Sequence, residues 1–219
     1  MRMPRGSRRP PRGQANLENG ILPGGKVGDQ MTKPIRKWVI CIAGFLQDEG
    51  TPHGIVQIWR DLHATHAAPN IRVEFRSWDD RTAPLAELIW RLRPPRKQPH
   101  VTIAAYSWGG ASAQRLARDL ARRGIVVSEM VLSDAVYRHG YWLGNWRALV
   151  PWSKITIPAN VRRVTWFRQT VDRPRGHSLV PADAKTTEIE PATVYNVGHT
   201  YMDDLAAFHE AAHRAAEAA

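Results

Sequence analysis

A serine, two aspartates and a histidine occur where their side chains could combine in nucleophilic chemistry. Ser107 lies in the stretch Ala105–Gly109, which reads AYSWG, and His199 lies near the end of the sequence. Asp134 and Asp172 lie between them. A serine hydroxyl becomes a good nucleophile when a histidine accepts its proton and a carboxylate orients that histidine. The order Ser, Asp, His therefore makes acyl transfer the first chemistry to consider.

The surroundings of Ser107 predict a sharp turn between a strand and a helix. Val101–Ala105 is a short apolar run typical of a buried strand, and Ala111–Arg123 has helical spacing. A serine at the apex of such a turn adopts a strained backbone conformation and presents its hydroxyl clear of the sheet. The residues two before and two after it must be small, and Ala105 and Gly109 meet this condition, although glycine is usual at the first position. The pattern favours a nucleophile position over an ordinary connection.

The elements that must position these side chains alternate along the chain. The predicted strands are Lys37–Ala43, Ile71–Phe75, Val101–Ala105, Val126–Leu132, Val161–Phe167 and Ala192–Val197, and the predicted helices are Gly54–His66, Leu85–Leu92, Ala111–Arg123 and Asp203–Ala219. This alternation predicts an α/β fold with a mostly parallel central sheet of about six strands flanked by helices. Active sites of such sheets lie at the carboxyl ends of strands, which is where Ser107, Asp134, Asp172 and His199 fall.

Three stretches together resemble a known family. The AYSWG turn, the Ala43-Gly44-Phe45 turn after the first strand, and Val197-Gly198-His199 before the final helix are similar to the corresponding motifs of the α/β-hydrolase superfamily. The resemblance covers residues 35–219, and within the superfamily the chain is most similar to compact esterase- or lipase-like members with a minimal cap. It implies an α/β-hydrolase fold and a Ser-His-Asp triad.

The resemblance assigns roles to individual residues. It implies that Ser107 is the nucleophile and His199 the general base. It also implies an oxyanion hole formed by the backbone N–H groups of Trp108 and Phe45, with Leu46 as the alternative to Phe45.

The triad acid stays open between two aspartates. In most superfamily members the acid follows the penultimate strand, which selects Asp172, and in some lipases it follows the strand before, which selects Asp134. Asp134 comes directly after a predicted strand, whereas Asp172 needs a loop to place it. We take Asp172 as the first choice and Asp134 as the alternative.

Aromatic residues near the predicted site suit an apolar substrate. Tyr106 precedes Ser107, and Tyr141, Trp142 and Trp146 lie in an aromatic insertion where superfamily caps are commonly found. Since aromatic linings bind apolar groups, we expect these four residues in the substrate pocket. The alternative is that the insertion only covers the edge of the sheet.

With the resemblance, these residues predict a serine hydrolase that cleaves carboxylic esters or thioesters through an acyl-enzyme. Its expected substrate is a small-molecule or lipid-like acyl ester. The competing interpretation is a catalytically silent hydrolase-fold binding or scaffold protein, and the filled triad positions argue against it. No cofactor or metal is expected. His63 and His66 lack a third ligand at metal-binding spacing, and no acidic pattern accompanies His209 and His213, which are four residues apart on the final helix.

Charge and composition set the domain organisation. The formal net charge is +11, and residues 1–37 hold nine Lys and Arg against two acidic residues. Residues 1–34 are rich in Arg, Pro and Gly and are predicted to be a disordered basic tail, and residues 35–219 to be the hydrolase domain. The tail lacks interleaved aromatic residues, so no nucleic-acid partner is expected.

Hydropathy leads to an expectation about the compartment. No apolar run is long enough for a transmembrane segment or for the core of a signal peptide, and we expect a cytoplasmic protein. The lone Cys41 lies in an apolar strand and is expected to be buried and structural. We also expect Asp203 and Asp204 to cap the final helix, and His177 to be a surface loop residue.

Overall fold

A seven-stranded sheet forms the centre of the part of the chain that the computed structural model describes, residues 33–50, 52–66, 68–137 and 153–218. Its strands are β1 (Lys37–Ile42), β2 (Ile71–Arg76), β3 (His100–Tyr106), β4 (Val127–Ser133), β6 (Val161–Gln169), β8 (Glu188–Ile189) and β9 (Thr193–Tyr195), while β5 (Lys154–Ile157) and β7 (Ser178–Pro181) form a separate parallel pair. The order in the main sheet is β2-β1-β3-β4-β6-β8, with β9 also paired to β6, and every pair is parallel.

Helices cover both faces of the sheet, because alternate residues of its central strands point to opposite sides. Helices α2 (Thr82–Leu92) and α3 (Gly109–Ala121) pack on the face to which β1 contributes Trp38, Ile40 and Ile42. Helices α1 (Gly54–Thr65) and α4 (Ala206–Glu217) pack on the face of Val39 and Cys41. Burial on both faces explains why β1 reads as an unbroken apolar run.

This architecture confirms the predicted α/β-hydrolase fold. Its differences from the prediction lie in the short elements. The last predicted strand, Ala192–Val197, is only three residues long as β9, and β5, β7 and β8 were not expected. Strands of two to four residues are too short to show a hydrophobic period, so the sequence carries no signal for them.

The start of the final helix also differs from the prediction. Helix α4 begins at Ala206, with Leu205 at the N-cap position and no side-chain cap. Asp203 and Asp204 therefore do not cap it. Asp203 is buried and instead accepts a hydrogen bond from the backbone N–H of Ile55 in α1 (3.5 Å). A tertiary contact has taken the place of the local cap.

The strand register brings the candidate site residues to one edge of the sheet. Tyr106 at the end of β3 pairs with Ser133 at the end of β4, and Ser133 pairs with Phe167 in β6. The residues that follow β3 and β4, Ser107 and Asp134, therefore leave the sheet side by side. Cys41 is buried, as expected, and burial raises the pKa of its thiol to about 12.

Several predictions fall on residues outside the described ranges. They are most of the basic tail and the pocket residues Tyr141, Trp142 and Trp146. Within the described ranges, no helix combines the length and apolar character required to cross a membrane.

Candidate active site

Ser107 occupies a tight turn between β3 and α3. Its φ of 53° lies in the left-handed region, which costs an L-residue about 1–2 kcal/mol. The glycines that follow allow the close packing of this turn. A Cβ on Gly109 would lie 2.5 Å from the carbonyl oxygen of Ile42, and a Cβ on Gly110 would lie 2.4 Å from the Cβ of Ala135. The turn thus holds Ser107 in the strained position predicted for a nucleophile.

A line of hydrogen bonds joins three buried side chains. Ser107 Oγ lies 2.8 Å from His199 Nε2, and His199 Nδ1 lies 2.5 Å from Asp134 Oδ2. Ser107 is 4% exposed, Asp134 0% and His199 9%. Because Nδ1 faces a carboxylate, it carries the ring proton, and Nε2 is left as an acceptor for the serine hydroxyl. This arrangement can remove a proton from Ser107.

Asp134 is held by donors on both carboxylate oxygens. Oδ1 accepts from the backbone N–H of Gly176 (2.7 Å) and of Gln169 (3.2 Å). Oδ2 accepts from the side-chain amide of Gln169 (3.0 Å) and from His199 Nδ1. These four donors satisfy both oxygens and compensate for the desolvation of this buried carboxylate.

Asp172, the first choice for the acid, lies beside His199 but contacts a different part of it. Its Oδ1 accepts the backbone N–H of His199 (2.8 Å), and its side chain is exposed. Asp134, the alternative candidate for the acid, therefore contacts the imidazole ring of His199, whereas Asp172 contacts the main chain of His199. The physical reason is the register: Asp134 leaves the strand next to Ser107, whereas Asp172 lies in a loop beyond β6.

Gln169, which sequence reasoning missed, connects the two carboxylates. It is fully buried at the end of β6. Its side-chain oxygen accepts the backbone N–H groups of Val171 (2.7 Å) and Asp172 (3.0 Å), and its amide donates to Asp134. The sequence carries no distinctive signal for Gln169, because β6 (VRRVTWFRQ) already contains several polar residues and the partners of Gln169 are set by tertiary structure.

The turn after β1 lies against Ser107. A Cβ on Gly44 would be 3.0 Å from the Cβ of Ser107. Gln47, buried and also missed, accepts the backbone N–H of Gly44 (2.9 Å) and donates to Asp203 (2.8 Å). Leu46 in the same turn has a φ of 62°. This network fixes the turn that contains the expected oxyanion donors.

A cavity of about 440 Å³ opens above Ser107. Its lining includes Ser107 and His199, two of the four triad candidates. It also includes all the described residues predicted for the oxyanion hole and pocket, namely Phe45, Leu46, Trp108 and Tyr106. The other described lining residues are Gln47, His53, Pro174 and Thr200. Among the residues that the structure describes, the lining is mostly apolar and includes no Asp, Glu, Lys or Arg side chain, so this part of the cavity suits an uncharged group.

Three aromatic rings pack together beside this cavity. The ring of Phe45 lies 4.7 Å from that of Trp108 and 5.4 Å from that of Trp78, and the two indoles are 5.0 Å apart. Tilted and edge-on contacts at these distances are favourable for aromatic pairs. The cluster joins the turn after β1, the turn after β2 and the start of α3 into one wall.

Burial perturbs two titratable groups at the site. Burial, with smaller contributions from four neighbouring carboxylates (Asp203, Asp134, Asp204 and Asp172), raises the pKa of Tyr106. Burial also raises the pKa of Asp203, and the hydrogen bond from Gln47 partly offsets this effect. Tyr106 therefore stays a protonated phenol and a hydrogen-bond donor at neutral pH.

His177 differs from the expectation of a surface residue. It is 2% exposed, and its Nδ1 accepts the backbone N–H of Tyr137 (2.7 Å). The loop after β6 folds back onto the sheet edge and buries it. No group of three or more His, Cys, Asp or Glu residues that could hold a metal ion occurs among the residues with described coordinates.

Comparison with known proteins gives only distant similarity. No protein-family model matches the sequence, and no curated protein matches it. Among solved structures, the NocB thioesterase domain from the nocardicin cluster has 15% identity and a TM-score of 0.44, covering 85% of this chain and 96% of its own. The type II thioesterase YbtT from the yersiniabactin pathway has 14% identity and a TM-score of 0.43, covering 84% and 94%. The type II thioesterase BorB from the borrelidin cluster has 14% identity and a TM-score of 0.42, covering 84% and 95%. The fold assignment therefore rests on the strand order and directions of this chain.

Proposed function

We propose that this protein is a serine hydrolase that cleaves carboxylic esters or thioesters through an acyl-enzyme. Ser107 is the nucleophile, His199 the general base and Asp134 the acid that orients it. The observation that carries the proposal is the buried line from Ser107 Oγ to His199 Nε2 (2.8 Å) and from His199 Nδ1 to Asp134 Oδ2 (2.5 Å). Both bonds lie at the carboxyl edge of a parallel sheet, where such sites are built.

In the first step, Ser107 Oγ attacks the substrate carbonyl carbon while its proton passes to His199 Nε2. The imidazolium that forms is stabilised by Asp134, which stays ionised and holds Nδ1–H in place. The negative charge that develops on the carbonyl oxygen is stabilised by the backbone N–H groups of Trp108 and Phe45. Leu46 is the alternative donor.

In the second step, the tetrahedral intermediate collapses and its bond to the alcohol or thiol breaks. His199 gives its proton to the leaving oxygen or sulfur, and an ester of Ser107 remains. A water molecule then repeats the sequence: His199 takes its proton, the hydroxide oxygen bonds to the acyl carbon, and Ser107 leaves with the proton. The products are a carboxylic acid and an alcohol or thiol.

The lining of the cavity supports an uncharged, apolar acyl group. Phe45, Tyr106 and Trp108 present rings beside Ser107, and the lining residues with described coordinates include no cationic Lys or Arg to bind a carboxylate. A charged acyl group would lose its hydration there without gaining an opposite charge.

A fluorophosphonate probe and a substrate panel test the proposal. We expect the wild type to label and the Ser107→Ala variant not to label. We expect p-nitrophenyl butyrate and butyryl thioesters to be cleaved, and a p-nitrophenyl ester with a terminal carboxylate on its acyl chain to be cleaved at least about tenfold more slowly. Asp204→Ala, at an exposed site outside the cavity lining, is the control variant.

Absence of labelling in the wild type, or equal labelling of Ser107→Ala, would contradict the proposal. In that case the hydrolase-fold binding protein without turnover becomes the better interpretation. Efficient cleavage of the carboxylate-bearing ester would contradict the proposed acyl preference alone.

A further inference from the structure

His199 is held through its main chain as well as through its ring. Its backbone N–H donates to Asp172 Oδ1 (2.8 Å), and its carbonyl oxygen accepts the hydroxyl proton of Tyr106 (2.7 Å). These two groups belong to the peptide units on either side of the His199 Cα. Fixing both units fixes the direction in which the imidazole leaves the backbone.

This part of the chain has little regular structure to fix it. The preceding strand, β9, is three residues long, and His199 begins a single 3-10 turn, His199–Tyr201. A Cβ on Gly198 would lie 2.9 Å from Asp172 Oδ2, so the carboxylate packs directly against the backbone of Gly198. Side-chain contacts must therefore supply the rigidity that a long strand would otherwise give.

Asp172 is itself anchored to the proposed triad. Its backbone N–H donates to the side chain of Gln169 (3.0 Å), and its carbonyl oxygen accepts from the same side chain (3.2 Å). Gln169 also binds Asp134. One buried amide side chain thus sets the separation between the carboxylate at the His199 ring and the carboxylate at the His199 backbone.

Tyr106 holds His199 from the other side. Its ring lies 5.2 Å from the imidazole ring with 29° between the planes, and it is 4% exposed. Because Tyr106 directly precedes Ser107, its contacts join the nucleophile turn to the residue that must accept the nucleophile's proton. Tyr106 was expected in the substrate pocket, and it does line the cavity, but its polar atom is directed to His199.

We propose that Asp172 and Tyr106 are positioning residues that clamp the main chain of His199 and keep its imidazole in line between Ser107 and Asp134. The proposal rests on the proposed function, since it assigns the clamp to the general base of that reaction. It gives Asp172 a role that needs a hydrogen-bond acceptor but no negative charge.

The difference between acceptor and charge gives a sharp test. Asp172→Ala removes the acceptor, and we expect kcat to fall about 100-fold with KM nearly unchanged, because the imidazole is misplaced rather than the substrate. Asp172→Asn keeps an oxygen that can accept the His199 N–H, and we expect it to recover kcat to within about fivefold of the wild type. Tyr106→Phe keeps the ring stack and loses the hydroxyl, and we expect about a tenfold fall in kcat.

A measurement without substrate separates this proposal from the proposed function. In the wild type, the His199 Nδ1 proton shared with Asp134 should give a strongly downfield proton NMR signal. We expect Asp172→Ala to broaden or remove that signal and Asp172→Asn to retain it. Asp204→Ala is the control for the loss of a nearby negative charge, and it should change neither the signal nor kcat by more than about twofold.

Two results would overturn the clamp. One is an Asp172→Ala variant that folds with its downfield signal and kcat intact. The other is an Asp172→Asn variant as impaired as Asp172→Ala, which would make the charge of Asp172 the important property. If Asp172→Ala does not fold, Tyr106→Phe provides the test. A Tyr106→Phe variant with unchanged kcat and an unchanged NMR signal would contradict the proposal. Failure of the wild type to label with fluorophosphonate would overturn the proposed function, whereas the NMR comparison still tests the clamp.

Discussion

Replacing Asp134 by asparagine should stop the proposed reaction while leaving the fold in place. Each carboxylate oxygen of Asp134 faces two hydrogen-bond donors. An asparagine has one oxygen and one NH2 group, so one pair of donors must face the NH2. At the Oδ1 position those donors are the backbone N–H groups of Gly176 and Gln169, which cannot turn away.

The asparagine oxygen must therefore take the Oδ1 position, and its NH2 group the Oδ2 position facing His199. There it can only donate, so His199 Nδ1 must become the acceptor and the ring proton must move to Nε2. A protonated Nε2 cannot take the proton of Ser107. The wrong tautomer of a triad histidine costs about 10⁴ in kcat, which corresponds to about 5.4 kcal/mol in the activation free energy.

The cost to folding should be much smaller. The Gln169 amide loses Asp134 as an acceptor but keeps the carbonyl oxygens of Asp172 (3.2 Å) and Pro174 (3.0 Å). Losing one such hydrogen bond costs about 1–2 kcal/mol, or roughly 2–8 °C in Tm for a domain of this size.

The assay is kcat on p-nitrophenyl butyrate, with calorimetry for Tm and nitrogen-15 NMR for the histidine tautomer. Asp172→Asn is the matched control, because it makes the same change in the other carboxylate beside His199. An Asp134→Asn variant that keeps more than about a tenth of the wild-type kcat would refute the tautomer argument, and so would a 10⁴-fold loss in Asp172→Asn.

Three further changes have expected outcomes. Gly176→Ala would place a Cβ 2.4 Å from Asp134 Oδ1, so we expect kcat to fall about 100-fold, whereas Gly50→Ala, with its nearest contact at 3.3 Å, should be unaffected. Asp203→Asn should be more stable than the wild type in urea at neutral pH. Because burial raises the pKa of Asp203 in the folded state, the wild type loses stability as the pH rises from the unfolded to the folded pKa. The free energy of unfolding falls by about 1.4 kcal/mol for each unit by which the folded pKa exceeds the unfolded pKa. The stability advantage of Asp203→Asn should vanish near pH 3, about where Asp203 is protonated in both the folded and the unfolded state. A less stable Asp203→Asn at neutral pH would contradict this reasoning. Leu116→Ala, in the core and fully buried, should cost about 2–5 kcal/mol in urea unfolding, and a cost below 1 kcal/mol, well under that range, would contradict its core role.

The sequence carried enough information for the fold because its main elements have strong local signals. The apolar runs of β1, β3 and β4 and the helical spacing of α1 and α3 predict their own structures. Ser107 and His199 could be found because each follows a strand of a parallel sheet directly or within a few residues. The oxyanion residues and the roles in catalysis stay predictions.

The choice of Asp172 over Asp134 shows where local patterns stop being informative. Both aspartates follow strands, and a family resemblance favoured the later one. Their positions relative to the imidazole depend on which strands are neighbours and on the fold of the loop after β6, which Gln169 organises. Asp203 likewise had a plausible local role as a helix cap, but a contact with Gln47 far away in sequence determines its position.

The left-handed conformation of Ser107 recurs one strand away. Asp134 has a φ of 41° and directly follows β4, as Ser107 directly follows β3, so two adjacent strands are each followed by a strained residue. At about 1–2 kcal/mol each, this strain is comparable with a large part of the net stability of an ordinary domain. Glycine at either position would relieve this strain but would remove a side chain of the proposed triad. Selection for thermal stability alone would therefore favour the loss of these two side chains. Stabilising substitutions that preserve the site are better sought near the amino ends of the strands, away from Ser107 and Asp134.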